Sequence, residues 1–320
     1  MPPERTPPPA SPLGRLIRLP WFYAAAGAVL VWLLVVASAK GRGAWATLGT
    51  AVGFGSFYVL TGLGQMLVIA AGAGNIDLSI PAMMTLSGYL GMGVMGGEDG
   101  RILLGLALTL GLGLAGGAAN LLLIRIFAIP PMIATLAAGL VMQSASIAYS
   151  RGSTAKPPPL LLSAALAHLG PFPLIASAAL VLSLVIAPAM RRSVFGRTLL
   201  ALGQNARAAY LAGLRTRPAH AAAYLLSGVF AAFAGFWLAA YSGGASLNMA
   251  EDFLLMSIAV VVLGGSRISG GAVSVEGLWG AALLLYLIVT LLNLWTVSAG
   301  LRYVLTGLII LLVLGLSGER

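Results

Sequence analysis

Long uncharged apolar runs, separated by short polar or glycine-rich breaks, organise this chain from residue 21 onward. Runs such as 173–190 and 221–241, about 18 to 21 residues long, are sufficient to cross a hydrocarbon core as helices. Spans are predicted at 21–38, 44–71, 80–97, 102–123, from Pro131 to about 149, and then at 173–190, 221–241, 253–263, 273–294 and 301–315. The pattern predicts an all-α polytopic membrane protein of about 10 transmembrane helices, with a broken or re-entrant segment. Residues 160–169 read as a segment lying along the outer interface.

The breaks carry as much information as the runs. After 71 the apolar period stops at Gly72, Gly74 and the polar residues Asn75, Asp77 and Ser79, and resumes at Ile80. Ser79 suits an N-cap, and Pro81 is tolerated in a first turn, where its missing N–H has no partner to lose. The run at 253–263 is short for a full crossing, which predicts a re-entrant helix or one flanked by its neighbours' ends. Glu251 and Asp252, just before it, read either as N-caps or as an outward acid pair for a binding protein. Gly113 and Gly117 have the small-xxx-small spacing that lets another helix approach closely.

Composition agrees: 59% of residues are hydrophobic and 8% charged, against roughly 25% charged in a soluble domain. The net charge of +10 raises the question of nucleic acid, but the cations sit in short loops rather than on a soluble basic face, so no nucleic-acid partner is expected. The densest basic loop, 191–217, carries Arg191, Arg192, Arg197, Arg207, Arg215 and Arg217 and no acid, which assigns it to the cytoplasmic side. Both termini then fall inside, while Lys40, Arg42, Arg101, Arg151, Lys156 and Arg302 fall outside. Residues 1–20, rich in proline with Arg5, Arg15 and Arg18, read as a disordered cytoplasmic tail, and 21–317 as a single transmembrane domain.

Several chemistries are excluded. With no cysteine and only two histidines, His168 and His220, far apart in sequence, the chain offers no disulfide, thiolate nucleophile or helical His pair for a metal. Neither Lys40 nor Lys156 lies in a P-loop, so nucleotide hydrolysis by that route is absent from the chain. No catalytic residue and no metal site are predicted.

Within the basic loop, 205–213 reads as a small helix with Asn205 as N-cap and Gly213 at the left-handed C′ position. Two turns are marginal in water, so a partner must supply the missing stability; the plainer alternative is a solvated loop that only sets topology. Among polar residues in spans, Asp77 is the most exposed commitment, because a carboxylate at membrane depth is costly and is functional or paired. It reads either as a cap for the helix at Ile80, favoured by the helix dipole, or as a lining group of a translocation path at a helix break. Asn75 and Ser79 stand beside it, and Asn120 and Gln143 are further candidates for hydroxyl-bearing solutes or for interhelical bonds. His220, beside Pro218, reads as a membrane-interface residue.

Three motifs then carry a resemblance. The segment Arg192 to Ala209, with Phe195-Gly196-Arg197, Ala201-Leu202-Gly203-Gln204-Asn205 and Ala208-Ala209, resembles the signature of ABC permeases of the ribose, xylose and simple-sugar type. Gly74-Asn75-Ile76-Asp77-Leu78-Ser79 is similar to that family's Gly-Gly-Ile-Asp-Leu-Ser segment, with Asn75 for the second Gly. The stretch from Ala259 through Gly264-Gly265 to Gly270-Gly271 resembles its third motif, and together the three cover roughly 50 to 315. Ala208, Ala209 and Gly213 also match the Ala-Ala-x-x-x-Gly core of the importers' coupling motif, with Arg207 where Glu is usual. Val273 replaces the Gly of a Gly-Ser-Val turn, and Ile80-Pro81 replaces Val-Gly.

The resemblance implies the permease subunit of an importer in a bacterial inner membrane. Its partners would be cytoplasmic ATP-binding subunits, a second permease chain, identical or different, and a periplasmic or lipid-anchored solute-binding protein, with membrane lipid around the spans. ATP and Mg would be bound by the partner ATPase, and no cofactor by this chain. Coupling would fall on Gly196, Arg197, Gly203, Asn205, Arg207, Ala208, Ala209 and Gly213, and the substrate pathway on Asn75, Asp77, Ser79, Asn120 and Gln143. The implied cargo is a monosaccharide; a nucleoside or branched-chain amino acid is the alternative. A secondary carrier would need coupling acids within spans, for which only Asp77 qualifies, since Glu276 lies near the cytoplasmic mouth.

Overall fold

A computed structural model of the chain describes residues 21–151, 155–170 and 172–295, together with 298, 300–301, 304–305 and 307–308. The predicted tail at 1–20 and most of the predicted span 301–315, with Arg302, lie outside the described residues. The described chain forms α1 (Phe22–Ser38), α2 (Ala44–Ala70), α3 (Ile80–Met95), α4 (Ile102–Arg125), α5 (Pro131–Ser150) and α6 (Pro159–Leu166). It continues through α7 (Leu174–Arg192), α8 (Val194–Gln204), α9 (Ala206–Leu211), α10 (Thr216–Tyr241), α11 (Phe253–Leu263) and α12 (Val275–Leu294).

Six of the described helices are long and apolar enough to cross a membrane: α2, α4 (extended by the 3-10 turn Asp99–Arg101), α5, α7, α10 and α12. The chain is a multi-pass membrane protein. α1, α3 and α11 are apolar but shorter. The 16 residues of α3 rise only about 24 Å, less than a hydrocarbon core of about 30 Å.

Three expectations are corrected. The interface segment is helical only as far as Leu166, and the chain turns through a two-stranded antiparallel ladder in which His168 pairs with Pro173 and Leu169 with Phe172. α10 starts at Thr216 rather than 221, because Pro218 falls in its first turn, where no N–H is needed. The basic loop holds a second helix, α8, whose N-cap Ser193 accepts the Gly196 N–H at 3.0 Å.

α2 is the central helix: Phe57, Leu60, Leu63, Met66 and Leu67 are fully buried. α10 packs along α4, α3 and α2, and α12 along α1 and α2. The α4–α10 seam is a backbone contact. A Cβ on Gly113 would lie 2.5 Å from the Gly228 carbonyl oxygen, and one on Gly117 2.5 Å from that of Tyr224, so only this small-residue spacing permits the approach. On the periphery Leu104, Leu140, Val141 and Leu184 are exposed, as befits faces that meet lipid or another chain.

Polar contacts tie the helices together at both ends of the bundle. At the basic end Arg191 pairs with Glu276 at 2.7 Å, and the Arg125 guanidinium donates to the Arg217 carbonyl. At the other end Asp99 accepts the Leu160 N–H at 2.9 Å, and Ala155 accepts the Ala245 N–H at 2.9 Å.

Candidate functional site

Between α2 and α3 the chain turns through Gly72 and Gly74, at φ +128 and +79, conformations in which a Cβ would clash with the backbone. The turn carries Asn75 to Ser79 down among α4, α5 and α10. Asp77, 2% exposed, lies at the centre. Its Oδ1 accepts the Ser79 hydroxyl at 2.6 Å, the Ser79 N–H at 3.0 Å and the Asn120 amide at 3.5 Å. Oδ2 accepts the Ser227 hydroxyl at 2.7 Å. Asn120 also donates to Ser79 Oγ at 2.9 Å, and the Asp77 N–H donates to Gln65 Oε1 at 3.3 Å. A carboxylate removed from water requires such donors, and charge-assisted bonds are the stronger kind.

α5 holds the same segment from the other side, where Thr135 Oγ1 accepts the Leu78 N–H at 3.0 Å and donates to the Ile76 carbonyl at 3.1 Å. One layer closer to the basic end, Asn75 Oδ1 accepts the Tyr224 hydroxyl at 3.1 Å and stands 3.1 Å from His220 Nε2. Arg125 approaches His220 Nδ1 at 3.4 Å. With Arg125 able only to donate, Nδ1 accepts, and the ring donates from Nε2 to Asn75. From His220 to Ser227 α10 rises about 10 Å, so Asp77 sits well inside the bundle while Asn75 is near its basic mouth.

The sequence expectations fare differently. Asn75, Asp77, Ser79 and Asn120 are brought together. Neither Ser79 nor Asp252 caps its helix through the side chain: the Ser79 hydroxyl is turned onto Asp77, and Asp77 takes the Ser79 N–H instead of one from the first turn of α3. Gln143 is elsewhere, donating to the Leu247 carbonyl at 3.3 Å. It lines a pocket of about 310 Å³ with Leu78, Pro81, Thr85, Leu136 and Glu251. His220, at the basic mouth, is a hydrogen-bond partner of Asn75. Gln65, Thr135, Tyr224 and Ser227 belong to the cluster and were not singled out from sequence, although polar residues inside apolar runs are themselves a signal. Gln65 Nε2 and Asn120 Oδ1 are buried without a protein partner.

In the basic loop, Asn205 Oδ1 accepts the Ala208 N–H at 2.9 Å and caps α9, and Gly213 closes it at φ +75. Arg197, Arg207 and Ala208 are exposed and Ala209 is buried. Tyr210 and Leu211 leave 70% and 75% of their surface exposed, an apolar patch on a basic surface. Gly196 and Gly203 have a different part: a Cβ on Gly196 would lie 2.4 Å from Met190 Cα, and one on Gly203 2.0 Å from the Ala70 carbonyl oxygen. Among the described residues no group of three or more His, Asp or Glu is arranged to hold a metal ion.

Comparison with known proteins gives the following likenesses. Residues 47–314 match the family model described as branched-chain amino acid transport system / permease component. The chain is 28% identical over 293 residues to a probable ABC transporter permease protein, y4mJ, of Sinorhizobium fredii, covering 90% of this chain and 86% of the relative. It is 34% identical over 221 residues to the autoinducer 2 import system permease protein LsrD of Enterobacter sp., covering 66% of this chain and 67% of that one. To the ribose import permease protein RbsC of Bacillus subtilis it is 29% identical over 265 residues, covering 82% and 81%. No solved structure matches the chain.

Proposed function

Because the chain belongs to the branched-chain amino acid transport system / permease component family, a family of membrane transport subunits without catalytic chemistry of their own, we propose that it is the translocating subunit of an ATP-driven monosaccharide importer. It sits in a bacterial inner membrane with both termini cytoplasmic and about 10 spans, residues 21–317 forming the permease domain. A second permease chain completes the channel. Cytoplasmic subunits bind ATP and Mg, and an external binding protein delivers the solute.

The observation that carries this reading is α9. A two-turn helix, capped at Asn205 and stopped at Gly213, presents Tyr210 and Leu211 outward, and so short a helix gains its stability from what it docks into. The coupling contact is assigned to Arg197, Arg207, Ala208, Tyr210 and Leu211, with Asn205 and Gly213 shaping the helix, Ala209 seating it and Gly196 and Gly203 seating α8 beneath it. A monosaccharide is favoured over an amino acid because relatives are named for ribose and autoinducer 2 import. In addition, the described cations lie at helix ends and in loops, leaving none within a span to hold a carboxylate. Gln143 and its pocket are assigned to the solute path. The Asp77 cluster, with both carboxylate oxygens occupied by protein donors, is assigned to holding α3 against α4 and α10 beside that path.

Reconstitution in liposomes with the partner ATPase and binding protein, and a panel of radiolabelled pentoses and hexoses, tests the proposal. Uptake dependent on ATP and Mg, with the ATPase co-purifying on the permease, is the expected result. Uptake that proceeds without any ATP-binding partner overturns it.

A further inference from the structure

The end of α8, the Gly270-Gly271 turn and the Gly72 turn that leads into the Gly74–Ser79 motif, all far apart in sequence, meet at one backbone junction. At the end of α8, a Cβ on Gly203 would lie 2.0 Å from the Ala70 carbonyl oxygen and 2.4 Å from Gly271 N. A Cβ on Gly270 would lie 2.5 Å from Gly72 Cα, and one on Gly271 2.9 Å from Gln204 N. Hydrogen bonds lace the same strands together: the Gly271 N–H donates to the Ala70 carbonyl at 3.2 Å, and Gln204 Nε2 donates to the Gly271 carbonyl at 3.1 Å. Gly270 and Gly271 hold φ +87 and +75, so neither position accommodates an ordinary side chain.

On either side of the junction stand the two functional features. Gln204 is followed at once by Asn205, the cap of α9. Gly72 accepts the Asn75 amide at 3.2 Å, and Asn75 leads to Asp77. α9 itself packs mainly on α8 and only slightly on α10, so α8 and its end are the stiffer route from the docking helix into the bundle.

We infer that the Gly72, Gly203 and Gly270-Gly271 junction transmits displacement of the docking helix to the Asn75–Asp77 segment, with Gln204 as the positioning residue that locks it. Here three backbones touch, with the Gln204 side chain laid against Gly271, and close-packed contacts pass on a shift instead of absorbing it. The inference rests on the importer reading above. Gln204 acts by holding Gly271 to the end of α8.

The test uses the full reconstituted complex, with the pentose or hexose that the wild type carries best from the same panel. Gln204→Ala removes the bond without placing an atom in the junction, and Gly270→Ala wedges it directly. For Gln204→Ala the expected result is a fall of about five-fold in solute carried per ATP hydrolysed, within the range for residues along a coupling route, while the ATPase still co-purifies in wild-type amount. Gly270→Ala falls at least as far if it inserts and folds. An unchanged solute-to-ATP ratio in Gln204→Ala overturns the inference, and so does loss of ATPase binding, which would make Gln204 a docking residue. A wild type without ATP-dependent uptake defeats the importer reading itself, a distinguishable failure.

Discussion

The Ser227 hydroxyl donates a 2.7 Å hydrogen bond to Asp77 Oδ2, joining the break between α2 and α3 to the middle of α10 across 150 residues of sequence. Both groups are buried. The bond therefore ties a short helix, which cannot cross the membrane alone, to a long one that can.

Ser227→Ala keeps the backbone that lies close to Gly64 of α2 and deletes the donor, leaving Oδ2 of a buried carboxylate without its protein partner. A loss of about 1.5–3 kcal/mol is expected, read as a lower midpoint of thermal unfolding in detergent. An unchanged midpoint would remove Ser227 from the cluster.

Asp77→Asn and Asp77→Ala separate charge from hydrogen bonding. With the Asn carbonyl placed at Oδ1, its amide faces Ser227, whose hydroxyl rotates to accept. The Ala variant leaves the donors of Ser79, Ser227 and Asn120 unpaired. Asp77→Ala is expected to cost more than about 3 kcal/mol and Asp77→Asn less than half of that; equal losses in the same melting assay would show that charge, not bonding, is what matters.

Gly117→Val addresses the α4–α10 seam. Its Cβ would meet backbone atoms of Tyr224 and Leu225 at 2.5 and 2.8 Å, and backbone cannot swing aside. Separation of the helices is expected at about 1–3 kcal/mol or more, visible as reduced folded yield on size-exclusion chromatography. Gly111→Val, where nothing lies within 4 Å, serves as the control that retains wild-type yield.

Gly213→Val is expected to impair coupling through backbone conformation alone, because its surroundings are open and its φ is +75. A β-branched residue there costs about 1–2 kcal/mol, enough to fray a helix as short as α9. Uptake should fall while insertion and the melting midpoint stay near wild type, and Gly213→Asn, whose residue type tolerates this conformation, should restore most of it.

The Arg191–Glu276 pair gives a deliberately small prediction. Its side chains are 65% and 43% exposed, so water and salt screen the attraction. Arg191→Ala should change stability by less than about 1 kcal/mol, with the difference vanishing at high ionic strength.

Much of this was legible in the chain itself. The apolar runs gave α2, α4, α5, α7 and α12 to within a few residues, because in lipid a backbone must satisfy its own hydrogen bonds and a run of sufficient length has helix as its only solution. The Gly72-to-Ser79 break was equally plain, as was the capped helix at Asn205. What escaped was α8, hidden because its short amphipathic stretch sits among the arginines, and the early start of α10, obscured by Pro218.

The sequence by itself determined that this is a membrane protein, where its helices run, and that Asp77 lies at a break among them, since those properties follow from local composition and period. It could not say what Asp77 touches. That depends on α4 and α10 approaching at Gly113, Gly117 and Gly228 closely enough to bring Asn120 and Ser227 to one carboxylate, and it turned the predicted cap into an interhelical tie. Likewise the separation of Gln143 from Asn75, and the meeting of Gly72, Gly203 and Gly270-Gly271 at one junction, are matters of packing. Hydrogen bonds and backbone contacts between residues far apart in the chain exist only once the helices are arranged in three dimensions.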